Sequence, residues 1–189
     1  MVNWYTADPH FGHENIIRFC NRPFRNVAHM ETVLLDNLLS CVRPEDDLWI
    51  LGDLVLGPRA KSRDWLDELF AALPGRRKHL VTGNHDTDLV MSLPWDTVTP
   101  LAEVRDGPKN QSHTLCHYPM LTWNHARRDA IMMFGHVHDN WWGSRNCVNV
   151  GVDVWDFKPV RFEVIAARGA VLPVSPHWAE VEPDCGRAG

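Results

Sequence analysis

VNWYTADPHFGH, residues 2–13, is a short, mostly apolar run that ends on Asp8 and His10. Such a run suits a buried strand whose C-terminal end hands polar residues to a loop. The same pattern returns twice. Residues 47–53 read DLWILGD and residues 78–86 read KHLVTGNHD, so Asp53, Asn84 and His85 each come just after an apolar stretch. Between these stretches Met30, Val33, Leu34, Leu38 and Cys41 recur at helical spacing and Pro44 follows, which predicts a helix over 28–41. Trp65, Leu66, Leu69, Phe70 and Leu73 predict a second helix, stopped by Pro74-Gly75. The expected order of this half is strand, helix, strand, helix, strand.

Beyond residue 96 the character changes. Short runs rich in β-formers, at 97–104, 113–116, 131–134, 147–150 and 160–165, are separated by turn residues, with a helical period only around 126–129. A βαβαβ half followed by a mostly-strand half points to the α/β class, as a sandwich of two facing sheets with helices outside. One domain over residues 1–170 suits a chain of 189 residues, and residues 171–189, rich in proline and charge, read as a poorly ordered or surface-draped tail. Open α/β sheets place their ligands at the C-terminal ends of strands, which is where the polar residues named above fall.

Composition narrows the function classes. A net charge of −5 offers no basic track for a nucleic-acid backbone, although bound metal ions would add local positive charge. Five cysteines (Cys20, Cys41, Cys116, Cys147, Cys185) are odd in number and form no CxxC pair. That speaks against a disulfide framework or a thiolate zinc site, and for a reducing, cytoplasmic setting. The opening residues lack a basic segment followed by an apolar core, and no apolar run approaches the roughly 20 residues of a membrane span, so no leader and no membrane association are expected. Most of the nine tryptophans, including Trp123, Trp141, Trp142 and Trp155, are expected to serve as core or rim packing.

CHYP at 116–119 and GHVH at 135–138 extend the series begun by DPHFGH, GD and GNHD. Together these stretches supply Asp8, His10, Asp53, Asn84, His117, His136 and His138, oxygen and nitrogen donors of the kind that hold two closely spaced divalent metals around one bridging carboxylate. Taken singly, each histidine is more simply a hydrogen-bonded core or surface residue. Five such stretches in one order reverse that weighting. The glycine of GNHD permits a tight turn, Asn84 offers a neutral oxygen, and His85 is left as an acid or electrostatic donor. A donor set without cysteine favours hard to borderline ions, with Mn²⁺ preferred and Fe, Zn²⁺, Ni²⁺ or Co²⁺ as alternatives. His13, Asn15 and Arg22 are candidates for substrate contact, since an arginine fork suits phosphoryl oxygens. Support of a metal ligand is the alternative for His13, and a surface ion pair for Arg22. Asp86 either orients His85 or caps a helix before DLVM.

The opening DPHFGHENII and the closing NVGVD, with the ordered motifs between them, make the chain similar to compact prokaryotic and viral members of the calcineurin-like metallophosphoesterase superfamily over residues 2–165. The resemblance implies a four-layer α-β-β-α fold. It also implies that Asp8, His10 and His138 hold one metal, that Asn84, His117 and His136 hold the other, that Asp53 bridges them and that His85 is the catalytic histidine. One departure stands out. Related Ser/Thr protein phosphatases continue their second motif as GDxxDRG, whereas this chain reads GDLVLGP with Leu56 where the later aspartate would stand.

The expected chemistry is attack on phosphorus by a hydroxide held between two metals, with His85 assisting the leaving oxygen. Phosphodiesters are the favoured substrates, in particular small 2′,3′- or 3′,5′-cyclic nucleotides, because the chain has no room for a large specificity domain. Phosphomonoesterase or protein phosphatase activity and nuclease activity are the enzymatic rivals. A non-catalytic metal-binding scaffold is the rival from another class, and no obligate protein partner is evident.

Overall fold

The apolar run of residues 2–7 forms a strand, β1 (Asn3–Thr6), in a computed structural model that describes residues 1–181. The first half continues with α1 (Glu14–Phe19), α2 (Val27–Cys41), β2 (Asp47–Ile50), α3 (Arg63–Ala72), β3 (Arg77–Val81), α4 (Asp88–Met91) and β4 (Thr97–Thr99). The second half runs β5 (Leu101–Asp106), β6 (Gln111–Cys116), β7 (Met132–Phe134), β8 (Gly143–Ser144), β9 (Cys147–Asn149), β10 (Val160–Arg161), α5 (Phe162–Val171) and α6 (Pro176–Val181). Two five-stranded mixed sheets result. The first has the order β10-β1-β2-β3-β4, parallel except for β10, and the second has the order β5-β6-β7-β9-β8 with parallel pairs at its centre. The fold is the expected α/β sandwich of two mixed sheets flanked by helices.

Alternation within single strands builds the layers. Leu48 and Ile50 of β2 and Leu80 of β3 pack against Met30, Leu34 and Leu38 of α2 and against Leu66, Leu69 and Phe70 of α3. Their neighbours Trp49, Leu51 and Val81 turn the other way, with Tyr5, to meet Val104, Leu115, Met133 and Val148 of the second sheet. The outer face of that sheet, Met132, Phe134 and Cys147, is covered by Trp123 and by Ala126 of a 3-10 turn at Ala126–Arg128. Trp123 and Trp155 are buried as expected, while Trp141 and Trp142 are exposed, Trp141 stacked on Phe134.

Two expectations change. The run at 97–104 is two strands in different sheets, because Pro100 lacks the N–H a continuing ladder needs and the chain crosses over there. The run at 160–165 is a strand only to Arg161. Phe162, Ile165 and Gly169 then share one buried helical face, and Val164, which a strand would have buried with Phe162, is exposed. Helix α1 has no counterpart in the sequence reading. Within the expected tail, Pro176–Val181 forms α6, and residues 182–189, with Cys185, lie outside the described residues. The other four cysteines are free. Among the described residues no helix is long and apolar enough to cross a membrane.

Candidate metal centre

All of the expected donors come from loops at the C-terminal ends of β1, β2, β3, β6 and β7. The loops after β1 and β2 are joined by backbone hydrogen bonds, from Asp8 N to Gly52 O at 3.1 Å, His10 N to Asp53 O at 3.1 Å and Phe11 N to Leu54 O at 2.9 Å. This zipper turns the chain sharply. Asp8, His10, Asp53, His136 and His138 all adopt left-handed backbones, with φ between 50° and 69°. Such conformations cost of order 1–3 kcal/mol each for residues with a side chain and persist only where the surroundings enforce them, most often at functional sites. Two glycines make the close approach possible. A Cβ on Gly52, itself at φ 85°, would collide with His117 Nδ1, and one on Gly135 would collide with the Asp8 carboxylate.

The donors converge in two groups. Asp8, His10 and His138 each bring a ligand atom within 4.8 Å of the others, and Asp53, His117 and His136 do the same. Asp53 Oδ2 lies 3.6 Å from His10 Nε2, 3.6 Å from His117 Nε2 and 3.9 Å from His85 Nε2, so its carboxylate reaches both groups. Its other oxygen accepts the backbone N–H of His85 at 2.9 Å. His117 is buried, and its Nδ1 lies 2.8 Å from the Leu51 carbonyl, which can only accept. In the neutral ring Nε2 is then a lone pair, and it faces Asn84 Oδ1 at 3.1 Å as well as Asp53. With that ring neutral, these three acceptors repel one another unless a cation lies among them. His10 is buried with neither ring nitrogen hydrogen-bonded, a costly state for an imidazole that a metal would relieve. These donors fit a pair of divalent cations.

Electrostatics divide the donors, favouring the free lone pair on His10 and His136 and the proton on Asp8 and His138. Burial lifts the Asp8 carboxyl up to about 8, with His138 pulling it down and Asp53 adding to the rise. Burial, and then the charges of Arg22 and His138, hold His10 well below its ordinary value, so its ring stays neutral with a lone pair to give. Burial lowers His136 as well, helped by His117. For His138 burial also acts downward, but the hydrogen bonds to Asp153 and Cys20 and the charges of Asp8 and Asp153 outweigh it and raise the ring to about 10.

The remaining candidates divide. His85 stands at the centre, its side chain 39% exposed. His13 lies beside His10, ring centroids 5.3 Å apart, and its Nδ1 is buried without a hydrogen bond. Asn15 is exposed on α1. Arg22, expected to touch phosphate or make a surface ion pair, does neither. It is buried, with Nε and Nη2 on Asp153 at 2.7 and 2.9 Å, Nη2 also on the Asp8 carbonyl at 2.8 Å and Nη1 on the Pro9 carbonyl at 2.9 Å. Asp86 is neither the cap nor a visible partner of the His85 ring. It accepts from the backbone N–H groups of Gly83, Asp53 and Leu54 at 2.8, 3.0 and 3.1 Å, while Thr87 takes the cap position of α4. Asp153 and Cys20 were missed. Asp153 accepts from His138 Nδ1 at 2.8 Å, and Cys20 lies with both in a cluster of close donor atoms. NVGVD contained Asp153, but nothing local says which side chain it meets.

No family model matches the chain. It is 32% identical over 168 residues to the uncharacterized protein MJ1445 of Methanocaldococcus jannaschii, covering 84% of this chain and 86% of that protein. The chain belongs to the MJ1445 family. Another relative is the gene 66 protein of Mycobacterium phage L5, 25% identical over 85% of this chain and 91% of that protein. Among solved structures, the protein of unknown function AQ665 from Aquifex aeolicus matches with a TM-score of 0.68 and 30% identity, over 88% of this chain and 98% of that one. A predicted phosphoesterase from Streptococcus pneumoniae TIGR4 overlaps with a TM-score of 0.38 and 15% identity over 79% of this chain and 70% of that one, too little to bear on function.

Proposed function

We propose that this MJ1445-family chain is a calcineurin-like, two-metal phosphoesterase that hydrolyses phosphodiesters, with small nucleotides such as 2′,3′- or 3′,5′-cyclic nucleotides as the substrate class. The observation that carries this reading is the position of Asp53, whose one carboxylate oxygen lies within 3.9 Å of imidazole nitrogens from His10, His85 and His117. Asp8, His10 and His138 would hold one ion, Asn84, His117 and His136 the other, with Asp53 common to both. Mn²⁺ is the favoured metal. When bound, the pair would supply Lewis acidity toward phosphoryl oxygens and acidify a water at neutral pH.

The protein's own groups then have distinct tasks. His85 is partly exposed and anchored through its backbone N–H to Asp53, so its ring can meet a substrate while its position follows the bridging carboxylate. It donates a proton to the leaving oxygen. His13, whose ring adjoins His10, borders the place where a phosphoryl group would lie, and Asn15 lies beside it on α1. A diester is favoured over a monoester because Arg22, the arginine fork that a phosphate dianion would need, is committed to Asp153 and to backbone carbonyls. The free cysteines fit a reducing, cytoplasmic setting.

The test is to load the purified chain with Mn²⁺, count ions by elemental analysis, and assay cyclic nucleotides, dinucleotides, nucleic acids and phosphopeptides in parallel. Turnover concentrated in the cyclic nucleotides is expected. Two bound ions with no phosphoester hydrolysed would make the chain a metal-binding scaffold.

A further inference from the structure

The two donor groups are supported differently. On one side His117 sends its outer nitrogen to a main-chain carbonyl, that of Leu51. On the other side the outer nitrogen of His138 meets the Asp153 carboxylate at 2.8 Å, and that carboxylate is held in a two-pronged grip by Arg22. Both partners are out of solvent, the Arg22 side chain at 0% exposure and Asp153 at 2%. The remaining reach of the guanidinium goes to the carbonyls of Asp8 and Pro9, in the segment where Asp8 and His10 adopt left-handed backbones. One buried arginine thus contacts the strained loop carrying two donors and, through Asp153, the ring of the third.

We propose that Arg22 and Asp153 are positioning residues that set the ion affinity of the Asp8–His10–His138 half, leaving the other half largely independent of them. The inference rests on the two-metal reading above. Asp153 orients the His138 ring, since a carboxylate accepts from Nδ1–H and leaves Nε2 as the nitrogen available to a metal. Arg22 balances the charge of Asp153, which is why an aspartate is tolerated in so dry a place. Its bonds to the Asp8 and Pro9 carbonyls keep the loop from relaxing out of the conformation that brings Asp8 and His10 together. The pair comes from residues 131 positions apart, so it also ties the entry to α2 to the segment after β9.

The experiment is Mn²⁺ titration of the full chain, followed by elemental analysis and electron paramagnetic resonance, in the wild type, Asp153→Asn and Arg22→Lys. The wild type should bind two ions with the spectrum of a coupled pair. Each variant should keep one tight ion and bind the second about 10–100-fold more weakly, as disrupted support of a metal ligand typically does. Its spectrum at low loading should show the hyperfine pattern of an isolated ion. Asp153→Asn leaves Arg22 as an unbalanced buried charge, so the double variant Arg22→Gln/Asp153→Asn, with neither charge, is measured beside it, and folding is followed by circular dichroism. Two ions bound with wild-type affinity in a folded variant would overturn the proposal, as would equal weakening of both. A wild type that binds no pair would instead overturn the two-metal reading, and this inference with it.

Discussion

At the N-terminal ends of the first sheet's strands, Asp46 and Asp47 are buried and satisfied. Asp46 accepts from Val2 N, Trp4 Nε1 and Arg43 N at 2.9, 3.1 and 3.2 Å, and Asp47 pairs with Arg77 and lies 3.8 Å from Arg76. At the opposite ends Asp8 and Asp53 are equally buried, yet the ion-pair neighbours of Asp53 are imidazoles, and among the described residues the Asp8 carboxylate accepts only the His136 N–H, at 3.0 and 2.9 Å to its two oxygens. Five of the eleven non-glycine residues with positive φ among the described residues are donors at this second end. Buried carboxylates of one kind therefore do opposite things. Those with complete donor sets hold the sheet together, whereas those gathered among histidines form candidate sites for a divalent cation.

The strongest way to break this comparison is Asp53→Asn. A carboxylate shared by two ions cannot be replaced by an amide without weakening both shells, so turnover should be abolished and elemental analysis should show loss of both ions. Full occupancy with near-normal turnover would return Asp53 to the same class as Asp46.

His85→Ala comes next. It should keep the metals and lower kcat by about 10²–10⁴-fold if the ring acts as a general acid. The loss should shrink with p-nitrophenolate as leaving group, which needs little protonation. Equal losses with good and poor leaving groups would make His85 a positioning group. A smaller effect sharpens the argument about Arg22. With that arginine spent on Asp153, bis-p-nitrophenyl phosphate should have a higher kcat/KM than p-nitrophenyl phosphate under one metal and pH. Preference for the monoester would sink the diester reading and favour a phosphatase.

Most of the first half of the fold was legible because β1, β2 and β3 each lie in an apolar run and α2 and α3 keep their helical period, whereas α1 left no such signal. Met30, Leu34 and Leu38 are buried where the spacing put them. The second half was harder, since its strands are as short as Gly143–Ser144 and partners such as Thr114 and Met132, or Trp4 and Arg161, lie far apart in the chain. Val160 to Ile165 satisfies strand alternation and a helical face alike, and packing between the sheets chose the helix. In the site, the donors were readable because each terminates a run. Their support was not. The Arg22 guanidinium looked like a phosphate fork because nothing near it in sequence reveals Asp153, and the Asp86 bonds to Asp53 and Leu54 reach across more than thirty residues.

The gentlest test concerns the satisfied end. Burial acts to raise the Asp46 carboxyl, but the hydrogen bonds from Trp4, Arg43 and Val2 outweigh it and hold the group below its ordinary value. A group depressed in the folded state contributes stability that is fully present above its unfolded value and lost as pH falls through its folded one. Asp46→Asn should therefore destabilise the metal-free protein at neutral pH, by about 1–3 kcal/mol for donors left poorly matched. The gap to the wild type should close in acid, because a protonated Asp46 carries no more charge than the amide. Melting curves of both proteins from pH 7 downward measure it, and metal content and turnover at pH 7 should not move, since Asp46 lies at the other end of the strands. A stability gap that stays constant into acid would mean that the carboxylate charge does nothing there. A loss of metal would mean that the two ends are coupled, and that the division between holding the sheet and holding a cation is drawn in the wrong place.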